Sequence, residues 1–117
     1  MVLALVDDLM FRSKIKSSAA GVGVSVTFAG SKDAALASMR AEPPALVILD
    51  LNNARLDPIG TVTAMKHDAA LSSIRTVGFV SHVDADTIGA ARAAGVDEVL
   101  ARSSFTAGLA DLLSGRG

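Results

Sequence analysis

VILDLNNARLD, from Val47 to Asp57, decides how the rest of the chain is read. The apolar run Ala45–Leu49 leads straight into an acid, and the chain then turns polar. A short, continuously apolar run suits a strand covered on both faces, as in a parallel sheet. Asp50 then either caps the next turn or is displayed at a strand end for chemistry.

Working outward, four further runs have similar length: Val2–Val6, Val24–Phe28, Thr76–Val80 and Val96–Ala101. Val2–Val6 is also continuously apolar, whereas Val24–Phe28 alternates with polar residues and is expected nearer an edge. Helical patterns lie between the runs. Met10–Ser18 sets Phe11 and Ile15 four apart, and Ser31–Arg40 opens on a capping-type Ser. Asp57–Ala70 carries Pro58 in its first turn, where proline is tolerated. Asp84–Ala94 begins with acids and stops at Gly95. Ser104–Ser114 puts Phe105, Leu109, Leu112 and Leu113 on one face. Strand and helix thus alternate five times, which predicts an α/β fold with a parallel sheet between helices. No linker or repeat interrupts it, so one domain across 1–117 is expected. Gly21-Val22-Gly23 precedes a strand rather than following one, and is read as a turn.

The totals narrow the function. Lys and Arg number 11 against 12 Asp and Glu, so the formal charge is −1 and no nucleic-acid surface is implied. The absence of cysteine excludes disulfides, thiolate zinc sites and Cys nucleophiles. With four Phe and no Tyr or Trp, few aromatics remain for stacking on bases or sugars. No apolar run is long enough to span a bilayer, and MVLALVDDLM lacks the basic start of a signal peptide. A cytoplasmic protein without membrane insertion is expected.

In open parallel sheets, ligands bind outside the carboxyl ends of the strands. The run ends are Asp7-Asp8, Asp50, Ser81-His82 and Arg102. Three carboxylates brought together raise one another's pKa, and a divalent cation with hard oxygen ligands relieves this. A metal, a carboxylate nucleophile, a hydroxyl and a cation make a phosphoryl-transfer arrangement.

On VLALVDD, VILDLN, GFVSH and AGVDEVLARSSF, the chain resembles a response-regulator receiver domain of two-component signalling over nearly its whole length. The resemblance implies a flavodoxin-like (βα)5 doubly wound fold, with strand order 2-1-3-4-5 and helices on both faces. It implies that Asp50 is the phosphoacceptor and that Mg²⁺ binds Asp8 and Asp50, with Asp7 acting largely through water. The main-chain carbonyl of Asn52 is the third protein ligand it implies. Ser81 would bond a phosphoryl oxygen, and Arg102 stands where the family has a Lys. The partners implied are a sensor histidine kinase or phosphotransfer protein, and a downstream protein. The latter would dock on helix four, strand five and helix five, roughly 84–114. No enzymatic turnover is implied.

The chain departs from the family pattern in several places. Ser103 replaces the Pro that usually follows the Lys in a cis bond. Asn53-Ala54 and Asp57-Pro58 stand where Met-Pro and Asp-Gly are common. Val99 replaces the aromatic switch residue, and His82 replaces a small residue. These departures support an alternative: a degenerate receiver, working as a phosphorylation-independent interaction module and held by an Arg102–Asp50 ion pair. VILDLNNARLD also resembles the haloacid-dehalogenase nucleophile motif, but Asn52 stands where that motif has its second acid. A flavin carrier fits less well, since Asp7-Asp8 would repel a phosphate in the absence of metal. His82 and His67 are read as ordinary surface residues.

Overall fold

A computed structural model describes residues 1–81 and 84–115. His82 lies outside the described residues. Strands β1 (Val2–Leu5), β2 (Val26–Ala29), β3 (Leu46–Asp50), β4 (Arg75–Val80) and β5 (Glu98–Ala101) form one sheet. Its order is β2-β1-β3-β4-β5, and every neighbouring pair is parallel. This is the flavodoxin-like order, and the alternating run Val24–Phe28 does fall on an edge strand.

The period of two along each strand sends side chains to two separate cores. Leu3 and Leu5 of β1, with Val47 and Leu49 of β3, pack under helices α2 (Lys32–Ala41), α3 (Pro58–Lys66) and α4 (Ala85–Ala94). Val2 and Ala4, with Leu46 and Ile48, pack under α1 (Leu9–Gly21), α5 (Arg102–Ala107) and α6 (Leu109–Leu113). The second core holds three rings in mutual contact. Phe79 lies 4.8 Å from Phe11 and 4.9 Å from Phe105, centroid to centroid.

Short polar side chains start the helices. Asp8 Oδ1 accepts from the Phe11 N–H at 2.9 Å to open α1, and Ser31 does the same for α2. Asp57 adopts a left-handed backbone with φ 49° and caps α3 through the Gly60 N–H, with Pro58 next in line. Gly95, at φ 107°, ends α4 in a conformation that favours glycine.

Several boundaries differ from the sequence reading, each for a local reason. α3 ends at Lys66 rather than running to Ala70. There the Asp68 carboxylate takes the Ala70 N–H at 3.0 Å, an aspartate turn that competes with the helix. The last helical segment begins earlier and breaks at Gly108, the poorest helix former in it. β5 starts only at Glu98, because Asp97 is used to close the sheet's lower edge. Its carboxylate accepts from the Thr76 N–H at 2.8 Å, and its own N–H donates to Thr76 Oγ1 at 2.9 Å. That exchange also satisfies the buried Thr76.

Replacing fully buried Phe79 with Ala would leave a cavity facing two rings. Phe79→Ala is expected to lower unfolding free energy by about 3–5 kcal/mol. Denaturant unfolding checks this: the midpoint should fall while the slope stays unchanged.

Candidate functional site

Leu5 pairs with Leu49, which sets Asp7 and Asp8 just beyond Asp50 on the same sheet edge. β4 delivers Ser81 to that edge, and the start of α5 delivers Arg102 directly after β5. Leu51 continues the β3–β4 ladder through its N–H to the Phe79 carbonyl at 3.0 Å. Gly78 makes room for this step: a β-carbon there would stand 2.5 Å from Leu51 Cδ1. A side chain there would force that of Leu51, the residue directly after Asp50, to shift.

Each acid sits differently. Asp50 is half-buried, and among the described residues its carboxylate makes one hydrogen bond, accepting from the Asn52 N–H at 3.3 Å. Burial raises its pKa; the Asn52 N–H and the charge of Arg102 oppose this, while Asp8 adds to it. Asp8 serves the helix cap with Oδ1 and faces Arg102 Nη2 with Oδ2 at 4.0 Å. One side chain thus both caps α1 and faces Arg102 at the sheet edge. Asp7 is held entirely by the loop after β3. Its Oδ1 accepts from Asn53 Nδ2 at 2.8 Å, and its Oδ2 is ion-paired to the Arg55 guanidinium.

Arg102 joins several elements. Nη1 donates to Ser81 Oγ at 3.4 Å, and the guanidinium carbon lies 4.2 Å from the centre of the Phe11 ring. Its ion pair is with Asp8; Asp50 feels its charge from farther away. The Arg102–Asp50 pair considered from sequence is thus replaced by Arg102–Asp8. Asn52 enters through its side chain, whose Oδ1 accepts the Ser81 N–H and ties the β3 loop to the end of β4. The peptide bond before Ser103 is trans, since the structure contains no cis bond among the described residues. Val99 is half-buried and packs against the core under α2, α3 and α4.

The donor chemistry fits a hard divalent cation: the carboxylates of Asp8 and Asp50 with a backbone carbonyl nearby in sequence. Yet no group of three or more His, Asp or Glu side chains is gathered as a metal cage among the described residues. Asp7 is turned to Asn53 and Arg55 instead. From sequence Asn53 was noted only as a departure from the family pattern, and Arg55 was not singled out. The available signal was an amide and an Arg placed three and five residues after a strand-end acid.

No family model matches the sequence, and no curated protein does. Solved structures match well in shape. The phosphorylated cyanobacterial phytochrome response regulator RcpA superposes with a TM-score of 0.81 at 22% identity, covering 97% of this chain and 88% of that one. The Mn²⁺-bound response regulator Rcp1 gives 0.78 at 19% identity, covering 97% and 88%. The chemotaxis protein CheY4 of Vibrio cholerae gives 0.84 at 18% identity, covering 99% and 97%. The fold is that of response-regulator receiver domains. In this receiver fold, Asp50 occupies the carboxyl end of the central strand, the place where an open parallel sheet presents a ligand.

The raised pKa of Asp50 has a stability consequence. A carboxylate harder to ionise in the folded state favours folding below its unfolded pKa and loses that contribution as pH rises through the folded pKa. At neutral pH the ionised group is therefore a burden. Asp50→Asn is expected to raise Tm at pH 7, and the gain should shrink as pH falls toward 3.8, the ordinary value for Asp. Thermal melts of both proteins across that range check the sign.

Proposed function

We propose that this chain is a receiver domain of a two-component signalling protein, accepting a phosphoryl group on Asp50. The observation that carries the reading is the placement of Asp8, Asp50, Ser81 and Arg102 at one edge of a receiver-fold sheet. The phosphorylated RcpA and Mn²⁺-bound Rcp1 share that fold and support it. The reading takes residues 1–117 as one receiver-like domain in the cytoplasm, working as a switch rather than by substrate turnover. No helix among the described residues is long and apolar enough to cross a membrane.

In this mechanism an Asp50 carboxylate oxygen attacks the donor's phosphorus. The new P–O bond forms as the donor's bond to phosphorus breaks, and the donor keeps that electron pair. A kinase or phosphotransfer protein with a phosphorylated histidine gives up a P–N bond. Ser81 Oγ–H and the Arg102 guanidinium donate to the phosphoryl oxygens. Asp8, Asp50 and the Asn52 carbonyl would hold Mg²⁺, with Asp7 through water, and the bound ion supplies charge neutralisation. Arg102 presents a planar fork in place of an ammonium, so its contact with phosphate is bidentate in character.

The switch follows from where Ser81 and Arg102 sit. Arg102 leaves Asp8 and Ser81 turns from Arg102 toward the phosphoryl group, moving the end of β4 and the start of α5. The responding surface is α4, β5 and the last helical segment, α5 with α6, roughly 84–114, which receives a downstream protein. A second reading rests on a specific observation: guanidinium groups already stand against Asp7 and Asp8. A receiver neutralised in this way would act unmodified, as a fixed interaction module.

An NMR titration with Mg²⁺, then with Mg²⁺ plus beryllofluoride as a phosphoryl mimic, separates the two. The phosphoreceiver reading predicts saturable shifts at Asp8, Asp50 and Ser81 that spread into β5 and are absent in Asp50→Asn. A flat response to both additions leaves the unmodified module.

A further inference from the structure

Asp7 is engaged on both oxygens by a single loop. Asn53 Nδ2 takes Oδ1 at 2.8 Å, and the Arg55 guanidinium takes Oδ2. The loop is not free to drift. It leaves β3 through the Leu51–Phe79 backbone bond at 3.0 Å. Arg55 then sits in the single 3₁₀ turn Ala54–Leu56, closed by the Asp57 N–H to the Ala54 carbonyl at 3.0 Å. The neighbouring Leu56 is fully buried, so the backbone that carries Arg55 is anchored in the core. Asp57 follows as the cap of α3. On the facing side, the carbonyl of Val6 accepts from Arg12 Nε, which pins the end of β1. The two halves of the pair are thus set opposite each other by separately anchored backbones.

Charge makes this arrangement consequential. Three carboxylates at one edge carry three negative charges, and Arg55 and Arg102 return two positive ones. Asp8 and Asp50 would hold a divalent cation, and Asp7 would contribute to its oxygen shell, largely through water. Arg55 holds the same carboxylate.

We propose that Arg55 is a built-in counter-cation that competes with divalent metal for Asp7 and keeps the site closed until the Arg55–Asp7 pair opens. This rests on the receiver reading, since it concerns the metal position that reading assigns. The Arg55 side chain is 72% exposed and that of Asp7 23%, so the pair is one that water and salt weaken. A modest latch is therefore expected, not a permanent block. Removing Arg55 should tighten metal binding by roughly three- to ten-fold, the range for losing a partly exposed ion pair and a nearby like charge.

The test uses Mg²⁺ itself, followed by NMR on the whole chain. Affinities are taken from backbone shifts at Asp8 and Asp50 in the wild type, Arg55→Ala, Arg55→Gln and Arg40→Ala. Arg40 pairs with Asp68 at 3.3 Å, near the end of the sheet opposite the site, and controls for simple loss of one positive charge. The Arg55 Nε–Hε signal in the wild type reports on the latch directly. The expected result is tighter Mg²⁺ binding in both Arg55 variants and wild-type affinity in Arg40→Ala. The Arg55 signal should also move toward its free position in step with Mg²⁺ occupancy. Equal affinities in all four proteins, or an Arg55 signal that stays put while Asp8 and Asp50 saturate, would overturn the latch and leave the receiver reading standing. No saturable Mg²⁺ response even in the Arg55 variants would overturn the metal site and the latch together.

Discussion

Strands β1 and β3 lie side by side in the sheet, and up to Leu5 and Leu49 neither face of either strand reaches solvent. Val2 to Leu5 and Leu46 to Leu49 are all buried, sending alternate side chains to two cores. A chain in that position satisfies its backbone polar groups through the parallel ladders, and it has no room for an unpaired charge. The first charged side chains therefore appear where the strands run out, at Asp7, Asp8 and Asp50. The site's location is a consequence of how deeply the middle of the sheet is buried. So is its rigidity: Asp50 is the last residue of a strand paired on both sides, with Leu51 seated against Gly78 just after it.

Gathering acids at one edge creates a second problem, and the structure answers it with arginine. Arg102 reaches Asp8 and Ser81 while stacking on Phe11, and Arg55 closes on Asp7. Among the described residues Asp50 has no ion-pair partner, feeling Arg102 only at longer range, and burial is the largest influence on its titration. That asymmetry fits a division of labour. Two acids are held in reserve by internal cations, while the third is presented at the strand end with a single N–H on one oxygen. A phosphoryl group on Asp50, as proposed, would bring new negative charge, and the guanidinium of Arg102 would be drawn to it. Exchanging Arg102 from Asp8 to a phosphoryl oxygen would tie the chemistry at β3 to the start of α5.

Much of this was legible in the sequence, for reasons that differ by element. The five apolar runs reported the five strands because burial on both faces leaves a continuous apolar signature at β1 and β3. The alternation of Val24–Phe28 similarly marked an edge. Boundaries were less legible because single side chains set them. Asp68 ends α3 by bonding a neighbouring amide, Gly108 breaks the last helical segment, and Asp97 shortens β5 by turning to Thr76. At the site, Asp7, Asp8, Asp50, Ser81 and Arg102 follow apolar runs, so topology alone gathers them at one edge. Asn53 and Arg55 are different. They sit in a loop, where side-chain direction depends on the 3₁₀ turn and on Leu56 being buried, and neither is visible as a periodicity. The grip of that loop on Asp7 had no counterpart in the sequence reading, which offered a metal and Arg102, but not Arg55, to relieve the acids.

The central claim is that Asp50 accepts a phosphoryl group, and covalent chemistry tests it most directly. The protein and its Asp50→Asn variant would be incubated with acetyl phosphate and Mg²⁺ and followed by intact mass. The account predicts a gain of one phosphoryl group in the wild type that maps to Asp50, is lost in mild base as an acyl phosphate should be, and never appears in the variant. No gain in the wild type, or an equal gain in the variant, would contradict it.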